Sequence, residues 1–544
     1  MPAPNIDFSL FYTAAELQRH MASLARWKPE MASLHVIGKS PAGRRILLLE
    51  ITDPATGPAS AKPAFFVHGN IHASEVSGSS SALYLAHYLL AHAQDDDATA
   101  ALLRGAAFYI CPRISVDGAE DALVQGRSVR SRDLPERRKN CIWPEDLDKD
   151  GRILQMRLPD PNGEWIAFDS DPSLLLQRLP GDEGGQRYRL TTEGLIHDWD
   201  GGPWNNPAGR YLDFNRNWGF NWRPPHQQSG AGRHSFSEPE MRAVADFLFD
   251  HTNIFGALGF HTGPAAVLRP PSAGGDSSME KADLPLFRQL ALLGSQITGF
   301  PGLAVAEYRS VFHDPSDYHG HFPDFGYKAL GLLTFEIELG VLMNSAGCAS
   351  SDIFKFTPQD LRQAERRLMA WRNAHLEEEV FVDWKPFDHP QLGPVEIGGW
   401  LPVGKANICR AQRVETWERA RQFIFELARR APRVEIHGLT AAPLGNGLFK
   451  VTCNVANDGF LSTSVTHAGI NVQGVEGVIV EVERPPGVEF ISGRNYTRLG
   501  HMAASSRQEM QWVLRCPARK RAKIDIIARA ARAGQAAAAI TLAG

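Results

Sequence analysis

His72 and Glu75 lie three residues apart in the run Phe65-Phe66-Val67-His68-Gly69-Asn70-Ile71-His72-Ala73-Ser74-Glu75. An imidazole and a carboxylate at that spacing converge on one cation if the turn curls between them. For the pair alone, a surface histidine beside a solvated carboxylate is the commoner explanation. A third donor stands in Gly256-Ala257-Leu258-Gly259-Phe260-His261-Thr262-Gly263, where His261 ends an apolar run just before a Gly-Pro turn. By itself it reads as a capped core histidine. Two His and one Glu together would leave one position of a tetrahedral zinc open for water, which a catalytic site requires and a structural site lacks.

The elements that must position these donors follow the pattern of a mixed α/β domain. Arg45 to Thr52 and Ala64 to His68 read as strands, Ala14 to Trp27 as an amphipathic helix, and Leu83 to Ala93 is apolar at helical spacing. A strand–loop–helix unit therefore brackets residues 68 to 82, and loops at the carboxyl ends of such strands commonly carry ligands. From about Arg132 to Gly202 the chain turns polar, and Asp148-Lys149-Asp150-Gly151 and Asp160-Pro161-Asn162-Gly163 predict hairpin turns within an insertion. Val414 to Arg430 reads as a helix ended by Pro432. Beyond Arg433, short alternating stretches such as Lys450–Val455, Gly477–Val482 and Gln511–Leu514 predict a β-sandwich. The expected division is 1–385 for an α/β domain, 386–432 for a linker containing one helix, and 433–544 for the sandwich.

The ordered set of motifs resembles the zinc carboxypeptidases of the M14 (carboxypeptidase A-like) family. It comprises Gly38-Lys39-Ser40-Pro41-Ala42-Gly43-Arg44, His72-Ala73-Ser74-Glu75, Pro112-Arg113-Ile114-Ser115-Val116-Asp117-Gly118, Asp213-Phe214-Asn215-Arg216-Asn217-Trp218, Phe236-Ser237-Glu238-Pro239-Glu240, His261 and Leu333-Thr334-Phe335-Glu336-Ile337-Glu338-Leu339. Val116 stands where the family usually has Pro. The resemblance implies a mixed central sheet flanked by helices and one Zn2+ held by His72, Glu75 and His261. It further implies that Asp213 orients the first zinc histidine, that Asn215 and Arg216 hold the substrate's terminal carboxylate, and that Arg130, twelve residues beyond Gly118, stabilises the oxyanion. Arg127 and Arg132 compete with Arg130 for that part. Glu338, eleven residues after Tyr327, matches the family's general base, with Glu336 as its rival on the same face of the strand. The implied activity is hydrolysis of a C-terminal peptide bond. The alternatives are an amidase or deacylase acting on a small carboxylate-bearing amide, and a binding protein without catalysis.

Two departures bear on specificity. Ser74 replaces the Arg that digestive members place between the zinc His and Glu, and Pro323 before Asp324 stands where basic-specific members carry Asp, so a preference for C-terminal Lys or Arg is not expected. The substrate-capping Tyr has only Tyr318, in Asp314-Pro315-Ser316-Asp317-Tyr318, as its candidate.

Composition narrows the remaining choices. The 544 residues carry 57 Lys+Arg against 61 Asp+Glu, a net charge of −4, which speaks against a generic nucleic-acid binder. The basic cluster from Arg127 to Lys139 is interrupted by Asp133 and Glu136 and lacks an aromatic ladder. Asp146-Leu147-Asp148-Lys149-Asp150-Gly151 reproduces the first half of a calcium loop, but Arg157 occupies the twelfth position, where a bidentate Glu is required, so a turn rich in Asp and Gly is the better reading. No apolar run is long enough to cross a bilayer, and the N-terminus lacks the features of a secretory signal. Six scattered cysteines without a CxxC pair fit reduced thiols in a cytoplasm.

Overall fold

The stretches Ala64–Gly69 and Ile254–His261 are buried at every position, as expected of strands covered on both faces. They form the middle of an eight-stranded sheet in the computed structural model, which describes residues 2–134, 138–168, 170–205, 211–310, 317–376, 378–517 and 520–543. Glu136 and residues 314–316 lie outside the described residues. In chain order the strands are β1 (Ala32–Lys39), β2 (Arg45–Ile51), β3 (Ala64–Gly69), β4 (Ala107–Cys111), β5 (Ile254–His261), β6 (Ala266–Arg269), β7 (Gly302–Ala304) and β8 (Leu333–Glu338). Their order across the sheet is β1-β2-β4-β3-β5-β8-β6-β7. The neighbours β4, β3, β5 and β8 run parallel, so the carboxyl ends of β3, β5 and β8 open side by side, with His261 in register with Glu338.

Helices α1 (Ala14–Trp27), α2 (Ser77–Ala91), α4 (Leu284–Thr298) and α5 (Arg410–Ala428) cover one face of the sheet, and α3 (Pro239–Asp250) covers the other. Helix α1 has the expected bounds, set by a capping box between Thr13 and Glu16. Helix α2 starts at Ser77, well before the apolar run that marks its second half. Its first turns are Ser and Gly because the backbone there nearly touches β3: a Cβ on Gly69 would lie 2.5 Å from the Gly78 carbonyl oxygen.

The insertion forms a six-stranded antiparallel sheet in the order Phe381–His389, Gly393–Trp400, Gln155–Pro159, Gln186–Thr192, Trp165–Phe168, Asp171–Gln177. Two expectations change here. The turns at Asp148–Gly151 and Asp160–Gly163 exist, but neither joins neighbouring strands, since Gln155–Pro159 pairs with Gln186–Thr192 and Gly393–Trp400. The stretch expected as a linker is structural throughout much of its length. Its hairpin from Phe381 to Trp400 completes the insertion sheet, and residue 385 falls inside a strand. Helix α5 then buries Trp417, Ala420, Phe423 and Ile424 in the main core. A pairing between segments more than 200 residues apart leaves no local trace in the sequence.

From Val434 onward, two four-stranded antiparallel sheets enclose a separate core that includes Val451, Val480, Trp512 and Ile526. This unit is pinned to the α/β domain through main chain. Arg532, 3% exposed, donates to the carbonyls of Leu330, Gly331 and Ser464. Thr466 also donates to Gly331, and the Asp283 carboxylate accepts from the backbone N–H groups of His467 and Ala468. Gly331 has φ +65°, and a Cβ there would lie 2.3 Å from the Cα of Gly469. All six cysteines are unpaired thiols. Among the described residues no helix is long and apolar enough to cross a membrane.

Candidate active site

Strand β3 ends at Gly69, and Asn70, with φ 52°, turns the chain back. The Asn70 amide donates to the carbonyls of His72 (2.5 Å) and Ala73 (3.1 Å), which curls the loop and brings His72 over Glu75. His261 arrives from the end of the adjacent β5. The His72 Nδ1 lies 2.8 Å from Glu75 Oε1, and the His261 Nδ1 lies 3.2 Å from His72 Nδ1 and 3.1 Å from Glu75 Oε2. All three residues are buried, and their ligand atoms lie within 4.8 Å of one another.

The outer ring nitrogens explain why this convergence suits a cation. His72 Nε2 faces Asp213 at 3.1 Å, and His261 Nε2 faces Glu336 at 3.1 Å. Burial works against ionising these carboxyls, yet Arg130 and Arg216 hold Asp213 well below the usual carboxylate range, while His321 and His261 hold Glu336 at about 2. Each ionised carboxylate fixes a hydrogen on the outer nitrogen, so a neutral ring turns a lone pair at Nδ1 toward the centre. Two such lone pairs and a carboxylate aimed at one point form a donor set for a zinc ion. The His261 imidazole shows the same field: burial would lower it, but Glu336 and Glu75 hold it well above its ordinary range.

Glu336 and Glu338, indistinguishable by strand face, have separate surroundings. Glu336 is committed to His261 and to the amide of Asn215 at 3.1 Å. Glu338 Oε2 is buried without a hydrogen-bond partner, and burial, with Glu75 and Glu336 nearby, pushes its carboxyl up to about 8 against the pull of His261 and Arg130. Space beside it is kept by Gly263, where a Cβ would lie 2.9 Å from that oxygen and 2.2 Å from the Tyr308 hydroxyl.

The three competing arginines also separate. Arg127 turns to Asp133 (2.5 Å), and Arg132 turns to Glu238 (2.5 Å) and Glu240 (3.3 Å). Arg130 alone of the three reaches the donor set, with Nη1 3.2 Å from Glu75 and Nε 3.0 Å from Asp213. Its side chain is 40% exposed, so two carboxylates anchor it while it borders the cleft. Arg216, on the short helical turn after Asp213, donates to the Asn215 carbonyl and stacks its guanidinium 3.8 Å from the centre of the Tyr318 ring. Asn215 differs from expectation. Both hydrogens of its amide are taken, by His321 Nε2 at 2.9 Å and by Glu336, while its oxygen accepts from the Phe322 N–H. It therefore offers the cleft no free donor and instead braces the carboxylate behind His261.

Two residues of the site escaped sequence reasoning. His321, kept neutral by burial, bridges Asn215 and Ser272. Its only trace is the cluster Tyr318-His319-Gly320-His321. Tyr308 is buried beside Glu338, with its hydroxyl donating to the Pro264 carbonyl. Nothing in its neighbourhood in sequence marks it. Together with Arg216, Tyr318, Leu268 and Val305 it lines a small pocket of about 160 Å³ beside the donor set.

The family described as Zinc carboxypeptidase (Peptidase_M14) matches residues 17–152 and 188–367, and the Domain of unknown function DUF8731 matches residues 433–541. Among curated relatives, Carboxypeptidase B of Astacus astacus is 27% identical over 160 residues, covering 29% of this chain and 46% of that protein. Carboxypeptidase SOL1 of Arabidopsis thaliana is 28% identical over 118 residues, covering 22% of this chain and 24% of that protein. The chain thus spans less than half the length of these relatives. A solved carboxypeptidase A from Helicoverpa armigera aligns over 68% of this chain and 73% of its own at 18% identity, with a TM-score of 0.42.

Proposed function

This chain belongs to the zinc carboxypeptidase family, and from that membership we propose that it hydrolyses the last peptide bond of a peptide with a free C-terminus. The observation that carries the reading is Glu338: a half-buried carboxylate with one buried, unpartnered oxygen beside three convergent metal donors. His72, Glu75 and His261 would hold one zinc ion, which when bound supplies a Lewis acid to polarise a carbonyl and acidify water. Arg216, stacked on Tyr318, receives the substrate carboxylate in the small pocket, a task suited to a planar guanidinium. Arg130, fixed by Glu75 and Asp213, meets the charge that develops on the carbonyl oxygen. Glu338 takes a proton from the attacking water and delivers it to the leaving amine as the C–N bond breaks. Asp213 and Glu336 hold the two histidines, and Asn215 holds Glu336 in turn. Six unpaired thiols support a reducing compartment such as the cytoplasm as its place of work.

The test is mass spectrometry of a mixed peptide pool incubated with zinc-loaded protein, each peptide present with a free and with an amidated C-terminus. Stepwise loss from free ends alone is the expected result. Cleavage of N-acyl amino acids but of no peptide would move the reading to a small-amide hydrolase on the same residues, and no cleavage of either would overturn it.

A further inference from the structure

The chain segments that carry the site residues run on into one large cavity. Ser74, between His72 and Glu75, lies on its floor, as do Arg130, Pro264 just past His261, and Val341 just past Glu338. The roof comes from the insertion sheet and its hairpin, through Trp165, Leu190 and Trp400, and from the separate two-stranded ribbon of Cys141–Pro144 and Gly194–His197, through Trp143. The volume is about 1310 Å³, against about 160 Å³ for the small pocket that contains Arg216, and Arg130 borders both. A substrate with its carboxylate at Arg216 and its scissile carbonyl at Arg130 has its acyl portion directed into the larger space.

The chemistry of that space is set by largely apolar walls, with Arg138 and Glu164, both exposed and of opposite sign, also on the lining and its other charges paired. Arg127 is paired with Asp133, Arg130 with Glu75 and Asp213, and Lys405 with Glu365 at 2.7 Å. What remains to discriminate among ligands is indole and aliphatic surface, which rewards apolar groups in proportion to the area they bury. The volume exceeds the roughly 300–1,000 Å³ of ordinary small-molecule sites, so it accommodates several residues and not a single acyl cap.

We infer that this cavity binds the acyl side of the substrate and selects short peptides whose residues upstream of the scissile bond are aromatic or large aliphatic. The inference rests on the carboxypeptidase reading and adds the substrate class, and it gives the insertion a function: the roof is the specificity element. A peptide carrying carboxylates upstream would lose their hydration against the indole walls, and Arg138, an exposed cation of the lining, would return little of it because an exposed ion pair is weak.

The experiment measures kcat/KM on the zinc-loaded full chain for three N-acetylated peptides ending in the residue preferred in the peptide-pool screen. One is a dipeptide, one extends it upstream with two Phe, and one extends it with two Glu. The Phe extension is expected to raise kcat/KM by about tenfold or more, and the Glu extension to give no gain. In Trp165→Ala the ratio of Phe-extended to dipeptide values should fall toward one, and Trp165→Phe should restore it. Equal values for all three peptides in the wild-type protein would overturn the inference even if the variants failed to fold. Absence of cleavage of any of the three would overturn the carboxypeptidase reading on which it rests.

Discussion

Among the described residues two clusters bring three metal-capable side chains within 4.8 Å of one another: His72, Glu75 and His261 at the end of the central sheet, and Asp146, Asp148 and Glu193 in the insertion. By proximity they are alike. They differ in what else each donor atom does. In the first, the nitrogens pointing away from the centre are held by Asp213 and Glu336, which leaves lone pairs aimed inward. In the second, Glu193 accepts backbone N–H groups at both oxygens, from Leu147 and Asp148 at one and from Leu154 at the other. Asp146 accepts from the N–H of Gly151 at one oxygen and keeps the other buried without a partner, and Asp148 accepts from the N–H of Asp150. The first cluster is backed so that its free lone pairs suit a cation; the second uses most of its charge to fold a turn. Convergence of acidic side chains is therefore a poor guide unless the remaining bonds of each donor are followed outward.

The sharpest way to break this contrast is to remove metal. Dialysis against a chelator should abolish peptide cleavage, with zinc restoring it and calcium failing to do so. Millimolar calcium should leave the thermal midpoint unchanged, since a ligand that does not bind the folded state adds no stability. Next comes Glu338→Gln, which should lower kcat by about 10²- to 10⁴-fold while zinc content by elemental analysis stays at one per chain. Glu336→Gln and Asp213→Asn should show the opposite balance, weakening zinc affinity or activity by about 10- to 100-fold, seen as a shifted zinc titration. Retained turnover in Glu338→Gln with loss in Glu336→Gln would exchange the two roles.

The smallest effect concerns Glu193. Burial pushes its carboxyl up to about 7 despite the N–H groups of Leu154, Leu147 and Asp148. A carboxyl raised above its unfolded value binds more protons in the folded state, so its contribution to stability is fullest below the unfolded value and is lost as pH rises through about 7. The stability advantage of wild type over Glu193→Gln should accordingly shrink between about pH 5 and pH 8, read by thermal melts. A gap that stays constant in calcium and shrinks without it would show a cation holding the carboxylate ionised.

How legible these features are in sequence depends on how far their causes lie apart along the chain. The strands β3 and β5 are continuous apolar runs, and the motif around His72 is local, so both can be read directly. The difference between Glu336 and Glu338 cannot, because strand periodicity places them on one face; their separate surroundings come from His261 and Asn215, far away in the chain. The same holds for Arg130 against Arg132, decided by Glu238 and Glu240. In the insertion, short half-buried strands carry weak patterns, and their register depends on partners such as Glu396, opposite Arg157. Asn215 was legible as a site residue but not in its orientation, which His321 sets.

The seam between the α/β domain and the sandwich has a consequence for how the two halves of the chain can diverge. Arg532 grips the carbonyls of Leu330, Gly331 and Ser464, atoms that every amino acid supplies. The catalytic half can therefore exchange most side chains around its own edge of the seam without renegotiating the attachment, provided residue 331 stays glycine and Asp283 keeps the carboxylate that accepts from His467 and Ala468. The sandwich half has no such freedom at Arg532. Drift across this boundary should be uneven, with one arginine, one aspartate and two facing glycines changing last while their neighbours vary.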